Sequence, residues 1–343
     1  MDNKIRVLIV DDSALMRKAL EEILTSDENI EVVGFAKDGQ EACEKVRVLK
    51  PNVITIDINM PVMNGLDAIQ AIMSDVPTPI IVVSSMDARI VAKALVIGAM
   101  DFVVVSDEID EVSKSLIEKV KISSNVRPLK RIPPKIFELK EKKEKDFKKE
   151  FSSEKDLDFV VSIGASTGGP QALQVVLSSL PESFNAGILI VQHMSDGFIG
   201  GLADWLSSVT PHKVELARTG DILKNGKIFL APDRYHLCID DHGVIQLKKG
   251  SLSKSGFVPS IDETMASVGE SFGSRSIGVI MTGMGRDGSV GIETLKRCKG
   301  KTIAQDEETS VIFGMNKEAI DKGCIDCIVS LDKISETIYN IIS

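Results

Sequence analysis

The residues best suited to chemistry lie in Ile163-Gly164-Ala165-Ser166-Thr167-Gly168-Gly169-Pro170. Gly164, Ser166 and Gly168 have the G-x-S-x-G spacing, which carries meaning only between a strand and a helix. An apolar run from Phe159 precedes the turn, and Pro170-Gln171-Ala172-Leu173 reads as the start of a helix. A serine on such a bend exposes its hydroxyl, and the N–H groups of the helix N-terminus lie near enough to hold an oxyanion. The same turn would also suit a phosphate-cradling loop, so the serine needs a base and a group to orient that base.

Candidates for those partners follow other predicted strands. Gly187–Val191 runs into Gln192-His193-Met194, Ile228–Leu230 into a segment ending at His236, and Ile277–Met281 into Thr282-Gly283-Met284-Gly285-Arg286-Asp287-Gly288. A parallel sheet collects the ends of its strands at one edge, so Ser166, His193 and Asp287 are expected together there. His236 also lies beyond a strand, and the residues alone leave both histidines open as the base. Asp-Gly pairs are common in turns, yet the small residues around Asp287 would let backbone approach a substrate closely.

A second constellation is acidic. Asp11 and Asp12 end the apolar run 5–10, Asp57 ends Val53–Asp57, and Ser84 follows Ile80–Val83. Three carboxylates converging on one place call for a cation, and magnesium suits a few carboxylates with water and phosphoryl oxygens. Asp57 would then be placed to accept a phosphoryl group.

Positioning these groups requires two α/β units. In residues 1–122, five strands alternate with five helices, which predicts a doubly wound, five-stranded parallel sheet. Residues 157–343 repeat the alternation and predict a second doubly wound, mostly parallel sheet, with a hairpin at Leu237–Leu247 around Asp241-His242-Gly243. Residues 123–156 read as a linker: Pro128, Pro133 and Pro134 interrupt it, and Lys135–Lys155 interleaves eight lysines with six acids.

At 343 residues, 43% hydrophobic and 27% charged, the composition is that of a soluble two-domain protein. A net charge of −9 argues against a nucleic-acid surface, and no apolar run reaches the length of a membrane span. The N-terminus lacks a signal-peptide core. Of the five cysteines, Cys324 and Cys327 form a C-x-x-C with no second pair to complete a zinc set. A cytoplasmic monomer is expected.

Residues 1–122 resemble a response-regulator receiver domain, through Val-Leu-Ile-Val-Asp11-Asp12-Ser, Asp57-Ile-Asn-Met60-Pro61-Val-Met-Asn-Gly65, Val-Val-Ser84-Ser and Gly98-Ala99-Met-Asp-Phe102. The resemblance implies a flavodoxin-like fold with Asp57 as phosphoacceptor. Magnesium would be held by Asp11, Asp12, Asp57 and the Asn59 carbonyl, and Ser84 would be the switch hydroxyl. Receivers usually carry Lys-Pro at the end of the fifth strand, where this chain has Val105-Ser106.

Residues 157–343 are similar to the catalytic domain of the chemotaxis protein-glutamate methylesterase family, CheB. The matching strings are the Ser166 turn, Val191-Gln-His193-Met194, Ala231-Pro232, Thr282–Gly288, Thr302-Ile-Ala-Gln305-Asp306-Glu307 and Val311–Met315. This resemblance implies Ser166 as nucleophile, His193 as general base and acid, Asp287 as its orienter, and the Met284 and Thr167 amides as oxyanion donors. It further implies hydrolysis of glutamyl methyl esters on chemoreceptors, deamidation of receptor glutamines, no cofactor for the hydrolysis, and activation when a chemotaxis histidine kinase phosphorylates Asp57. Where the family often has Pro-Pro after His-Met, this chain has Ser195-Asp196; where it often has Arg before the later Pro-Ser, this chain has Val258. A phosphate-binding module is disfavoured by the missing Walker-A lysine. A non-catalytic receptor-docking scaffold is the remaining alternative.

Overall fold

A computed structural model of the chain describes residues 4–84, 88–105, 109–124, 126, 157–250 and 256–343. Most of the expected linker, residue 125 and residues 127–156, and Ser106 lie outside the described residues. Two compact units are present, residues 1–85 with 97–155 and residues 86–96 with 156–343.

The first unit alternates β1 (Ile5–Val10), α1 (Ala14–Thr25), β2 (Ile30–Ala36), α2 (Gly39–Leu49), β3 (Val53–Ile56), α3 (Gly65–Asp75), β4 (Ile80–Ser84), α4 (Ala88–Ile97), β5 (Asp101–Val104) and α5 (Ile109–Ser124). The residues of α4 up to Val96 are counted with the second unit. Its sheet is wholly parallel, in the order β2-β1-β3-β4-β5. That order reverses between β1 and β3, the place where such sheets bind ligands. Asp11 and Asp12 follow β1. Asp57 lies one residue past β3 rather than inside it, although its N–H still donates to the Val10 carbonyl at 2.9 Å. Side-chain caps start the helices, as at Ser13, Asp38 and Asn64, each accepting a backbone N–H from the first turn.

In the second unit come β6 (Phe159–Ala165), α6 (Gly169–Ser179), β7 (Ala186–Gln192), α7 (Ile199–Val209), β8 (Val214–Leu216), β9 (Ile228–Leu230), β10 (Tyr235–Ile239) and β11 (Ile245–Lys249). There follow α8 (Ile261–Phe272), β12 (Ser276–Ile280), α9 (Ser289–Arg297), β13 (Lys301–Gln305), α10 (Met315–Asp321), β14 (Cys327–Val329) and α11 (Ile334–Ile342). Seven strands pair in the order β14-β13-β12-β6-β7-β9-β8, every pairing parallel. The predicted hairpin, β10 with β11, is antiparallel and forms a separate two-stranded sheet. The short edge strands β8 and β14 were not expected, since three residues of mixed burial carry too little period to register.

Both faces of the large sheet are covered. Val161 and Ile163 of β6 with Ile188 and Ile190 of β7 join one apolar cluster. Val160, Leu189 and Val191 join another on the opposite face. Burial on both faces is why these strands read as unbroken apolar runs. The strand order reverses on either side of β6, so the β6–β12 crevice is this unit's ligand position.

Candidate active site

Ser166 occupies the first residue past β6, where the chain must turn sharply into α6. Gly168 takes φ +78° to make the turn, a conformation that a side chain disfavours, and a Cβ there would meet Val311. The Ser166 N–H donates to the Thr282 carbonyl at 3.0 Å, while its own carbonyl accepts from Gly169 at 2.8 Å. Thr282 follows β12 by two residues, and its Oγ1 donates to the Thr167 carbonyl at 2.9 Å. Gly283 is held by two bonds, its N–H to the Ile312 carbonyl and its carbonyl to the Met315 N–H, each 3.0 Å. These bonds anchor Met284 beside the serine turn; its side chain is 42% exposed and its N–H makes no hydrogen bond to a described residue.

His193 stands in the matching place past β7, one residue beyond the register pair Ala165 and Gln192. Its Nε2 lies 2.9 Å from Asp287 Oδ2. Asp287 is fully buried and accepts three more hydrogen bonds, from Ser260 Oγ at 2.9 Å, Ile261 N–H at 2.7 Å and Asp262 N–H at 3.1 Å. Those N–H groups belong to the N-terminus of α8, whose partial positive charge favours the carboxylate. With Asp287 accepting from Nε2–H, the neutral ring carries its lone pair on Nδ1. Nδ1 is buried and makes no hydrogen bond, to Ser166 Oγ or to any other described residue. Contacts of this kind often shorten only when a substrate is bound.

His236, the other candidate base, is held elsewhere. It is buried, and its Nδ1 accepts the Ser260 N–H at 3.2 Å, fixing the entry to α8. His212 is buried too, with its ring edge-on to Phe184 and its Nε2 3.4 Å from the Leu180 carbonyl; burial lowers its pKa. His242 is exposed in the β10–β11 turn.

In the first unit, Asp11 is buried, and its Oδ1 accepts the Ser13 N–H at 2.8 Å. Burial, and then the charges of Asp57 and Asp12, raise its pKa to about 6 against the pull of Ser13 and Arg17. Asp57 Oδ2 accepts the Asn59 N–H at 3.2 Å. Among the described residues no three His, Cys, Asp or Glu side chains form a ready metal cage. The donor set fits magnesium all the same: it is all oxygen, its like charges repel, and magnesium keeps several waters of its own. Ser84 is buried at the end of β4, and its carbonyl accepts the Val105 N–H at 3.3 Å. Val105, standing where receivers usually carry lysine, packs half-buried against the apolar core.

Residues 161–338 match the CheB methylesterase family and residues 7–115 the response regulator receiver domain. A protein-glutamate methylesterase/protein-glutamine glutaminase of Pyrococcus abyssi is 43% identical over 98% of this chain and 93% of its own length. The chain belongs to the CheB methylesterase family. A relative of the same name from Thermotoga maritima is 40% identical over 99% of each chain. The crystal structure of the Thermotoga maritima CheB methylesterase catalytic domain aligns with a TM-score of 0.52 at 37% identity, covering 54% of this chain and 98% of that one.

Sequence reasoning passed over several residues at this CheB-family site. Phe257 stacks on the His193 ring, centroids 4.2 Å apart and planes 9° from parallel. Ser260 and Asp262 hold Asp287 through α8. Asp262 in turn accepts the Val290 and Gly291 N–H groups at 2.9 and 2.7 Å, so each of these two carboxylates caps a helix start. A signal was present: Ser260-Ile261-Asp262-Glu263 has the S-x-x-E spacing of a helix start, and Ser260 Oγ accepts the Glu263 N–H at 3.4 Å. Among the described residues no helix is long and apolar enough to cross a membrane.

Proposed function

We propose that this chain hydrolyses glutamyl methyl esters on chemoreceptors, and deamidates receptor glutamines, with Ser166, His193 and Asp287 as its catalytic triad. The observation that carries the reading is the buried His193–Asp287 pair at 2.9 Å on the strand end beside Ser166. Ser166 Oγ attacks the ester carbonyl and its proton passes to His193 Nδ1, whose other nitrogen is held by Asp287. The Met284 and Thr167 amides receive the oxyanion. His193 returns the proton to the departing methoxide, methanol leaves, and water hydrolyses the acyl-enzyme, leaving a glutamate carboxylate on the receptor and restoring the Ser166 hydroxyl.

Residues 157–343 form the catalytic domain in this reading, residues 1–122 the receiver and residues 123–156 the linker. Asp57 is the phosphoacceptor, with a chemotaxis histidine kinase as donor and Ser84 as the switch hydroxyl. Asp11, Asp12, Asp57 and the Asn59 carbonyl would hold magnesium, which supplies compensating charge for phosphoryl transfer. Support comes from the carboxylates gathered at the β1–β3 reversal. The protein works as a cytoplasmic monomer.

Methanol release from methylated receptor membranes tests the reading, with full-length protein and the Leu157–Ser343 fragment, and with acetyl phosphate and magnesium added or withheld. Ser166→Ala is expected to lose at least about 10³-fold in rate. A phosphodonor that accelerates only the full-length protein supports gating through Asp57 despite Val105. Receptor binding without Ser166-dependent methanol would instead support a docking scaffold.

A further inference from the structure

The nucleophile and base proposed above stand on neighbouring strands that part company at the site. The last paired residues of β6 and β7 are Ala165 and Gln192, and the ladder closes with the His193 N–H on the Ala165 carbonyl at 3.0 Å. Beyond that bond one chain turns into α6 while the other leaves for α7. The Gln192 side chain spans the gap. Its Nε2 lies 2.8 Å from the Ser166 carbonyl oxygen and 2.8 Å from the His193 carbonyl oxygen. Both partners are pure acceptors, so only the two-hydrogen end of the amide can face them.

Two further observations mark the side chain as specialised. Gln192 is buried, and its Oε1 makes no hydrogen bond among the described residues. An apolar residue would fill that volume without stranding an acceptor. Gly169 also makes room for it, because a Cβ at that position would collide with the Gln192 amide, its Cδ only 2.8 Å away.

We infer that Gln192 is a positioning residue for ester hydrolysis: one amide staples the backbone of Ser166 to that of His193 and so sets the separation of Oγ from Nδ1. The inference rests on the reading of Ser166 and His193 as nucleophile and base. No covalent link shorter than the β6–α6–β7 crossover joins the two residues, so a fixed cross-strand bond is the direct way to hold their geometry. A misplacement on the order of 1 Å between reacting groups costs about 10²-fold in rate.

The test compares the full-length protein with Gln192→Met, which keeps the length of the side chain and removes both donors. Methanol release gives kcat and KM, and the rate of Ser166 modification by phenylmethanesulfonyl fluoride, followed by intact mass, reports the nucleophile without receptor. The expected result is a kcat lower by about 10- to 100-fold, KM within about twofold, and sulfonylation slowed by a similar factor. A lowered melting midpoint with kcat and sulfonylation unchanged per folded molecule overturns the inference and leaves Gln192 a packing residue. If Gln192→Met does not fold, Gln192→Asn, one methylene too short to span both carbonyls, carries the test with the same readouts. Full activity in Ser166→Ala, or no sulfonylation of Ser166 in the parent, overturns the nucleophile reading and this inference with it. Equal, rapid sulfonylation in parent and variant overturns this inference alone.

Discussion

His193 and His236 differ in what their ring nitrogens face, and that difference makes them separable by mutation. His193 turns Nε2 to a buried carboxylate and leaves Nδ1 without a partner, whereas His236 spends Nδ1 on the Ser260 backbone. His193→Gln is expected to lower methanol release by about 10²–10⁴-fold, the usual worth of a general base. His236→Ala should reduce the rate less than about tenfold while costing about 1–2 kcal/mol of stability through the Ser260 N–H it leaves unpaired. Equal losses of activity in the two variants would contradict these roles. Val62 supplies a second residue-level case. It is 81% exposed in the β3–α3 loop at φ +66°, a region that disfavours β-branched side chains. Val62→Gly gives up little packing and is expected to raise the stability of the first unit by about 0.5–1 kcal/mol, read from its urea midpoint by far-UV circular dichroism.

At the level of elements, the site depends on two helix starts that hold each other. Asp287, just before α9, caps α8, and Asp262, in the first turn of α8, caps α9. Gly288 at the α9 N-cap has no side chain with which to do so. Asp262→Ala should therefore cost about 0.5–2 kcal/mol and lower kcat, because α8 also orients Asp287. Asp262→Asn keeps an oxygen for the Val290 and Gly291 N–H groups and should restore both quantities. Burial is the leading reason that the Asp262 pKa stands at about 6, with the Asp287 charge adding to it. An acid whose pKa is raised on folding costs stability above that value, and the cost fades as pH falls toward the unfolded value. Asp262→Asn should thus match or exceed the parent in urea midpoint at pH 8, with the advantage shrinking toward pH 5.

Across the whole molecule, each unit has its own core, and one intrinsic probe separates them. Trp205, the single tryptophan, lies in α7 against the core of the second unit, so its fluorescence follows that unit alone. His212, buried in the same unit, has a lowered pKa because burial disfavours its charged form. Such a histidine contributes fully above its unfolded value near 6.5, and the contribution is lost as pH falls below it. The Trp205 transition is expected at lower urea at pH 5.5 than at pH 7.5. In His212→Gln the fall between these values should be shallower; an unchanged slope would remove His212 as its cause.

Much of this arrangement is readable in the sequence because parallel α/β units advertise themselves locally. Strands buried on both faces appear as apolar runs, helices follow at regular intervals, and the residue after each strand is bound for one edge of a sheet. Asp11, Asp12, Asp57, Ser166, His193 and Asp287 were singled out as candidates because they lie in the segments that follow predicted strands. Strand order is not local, and it was the tertiary structure that set β12 beside β6 and β7 on its other side, bringing Asp287 to His193. The residues alone could not choose His193 over His236, since both follow strands; the resemblance chose, and the structure places the His193 ring 2.9 Å from Asp287. Gln192, Phe257 and Asp262 were legible as residue types but not as partners. Their work lies in contacts across sequence separations of 25 to 64 residues, which depend on how helices close over the sheet rather than on any pattern along the chain.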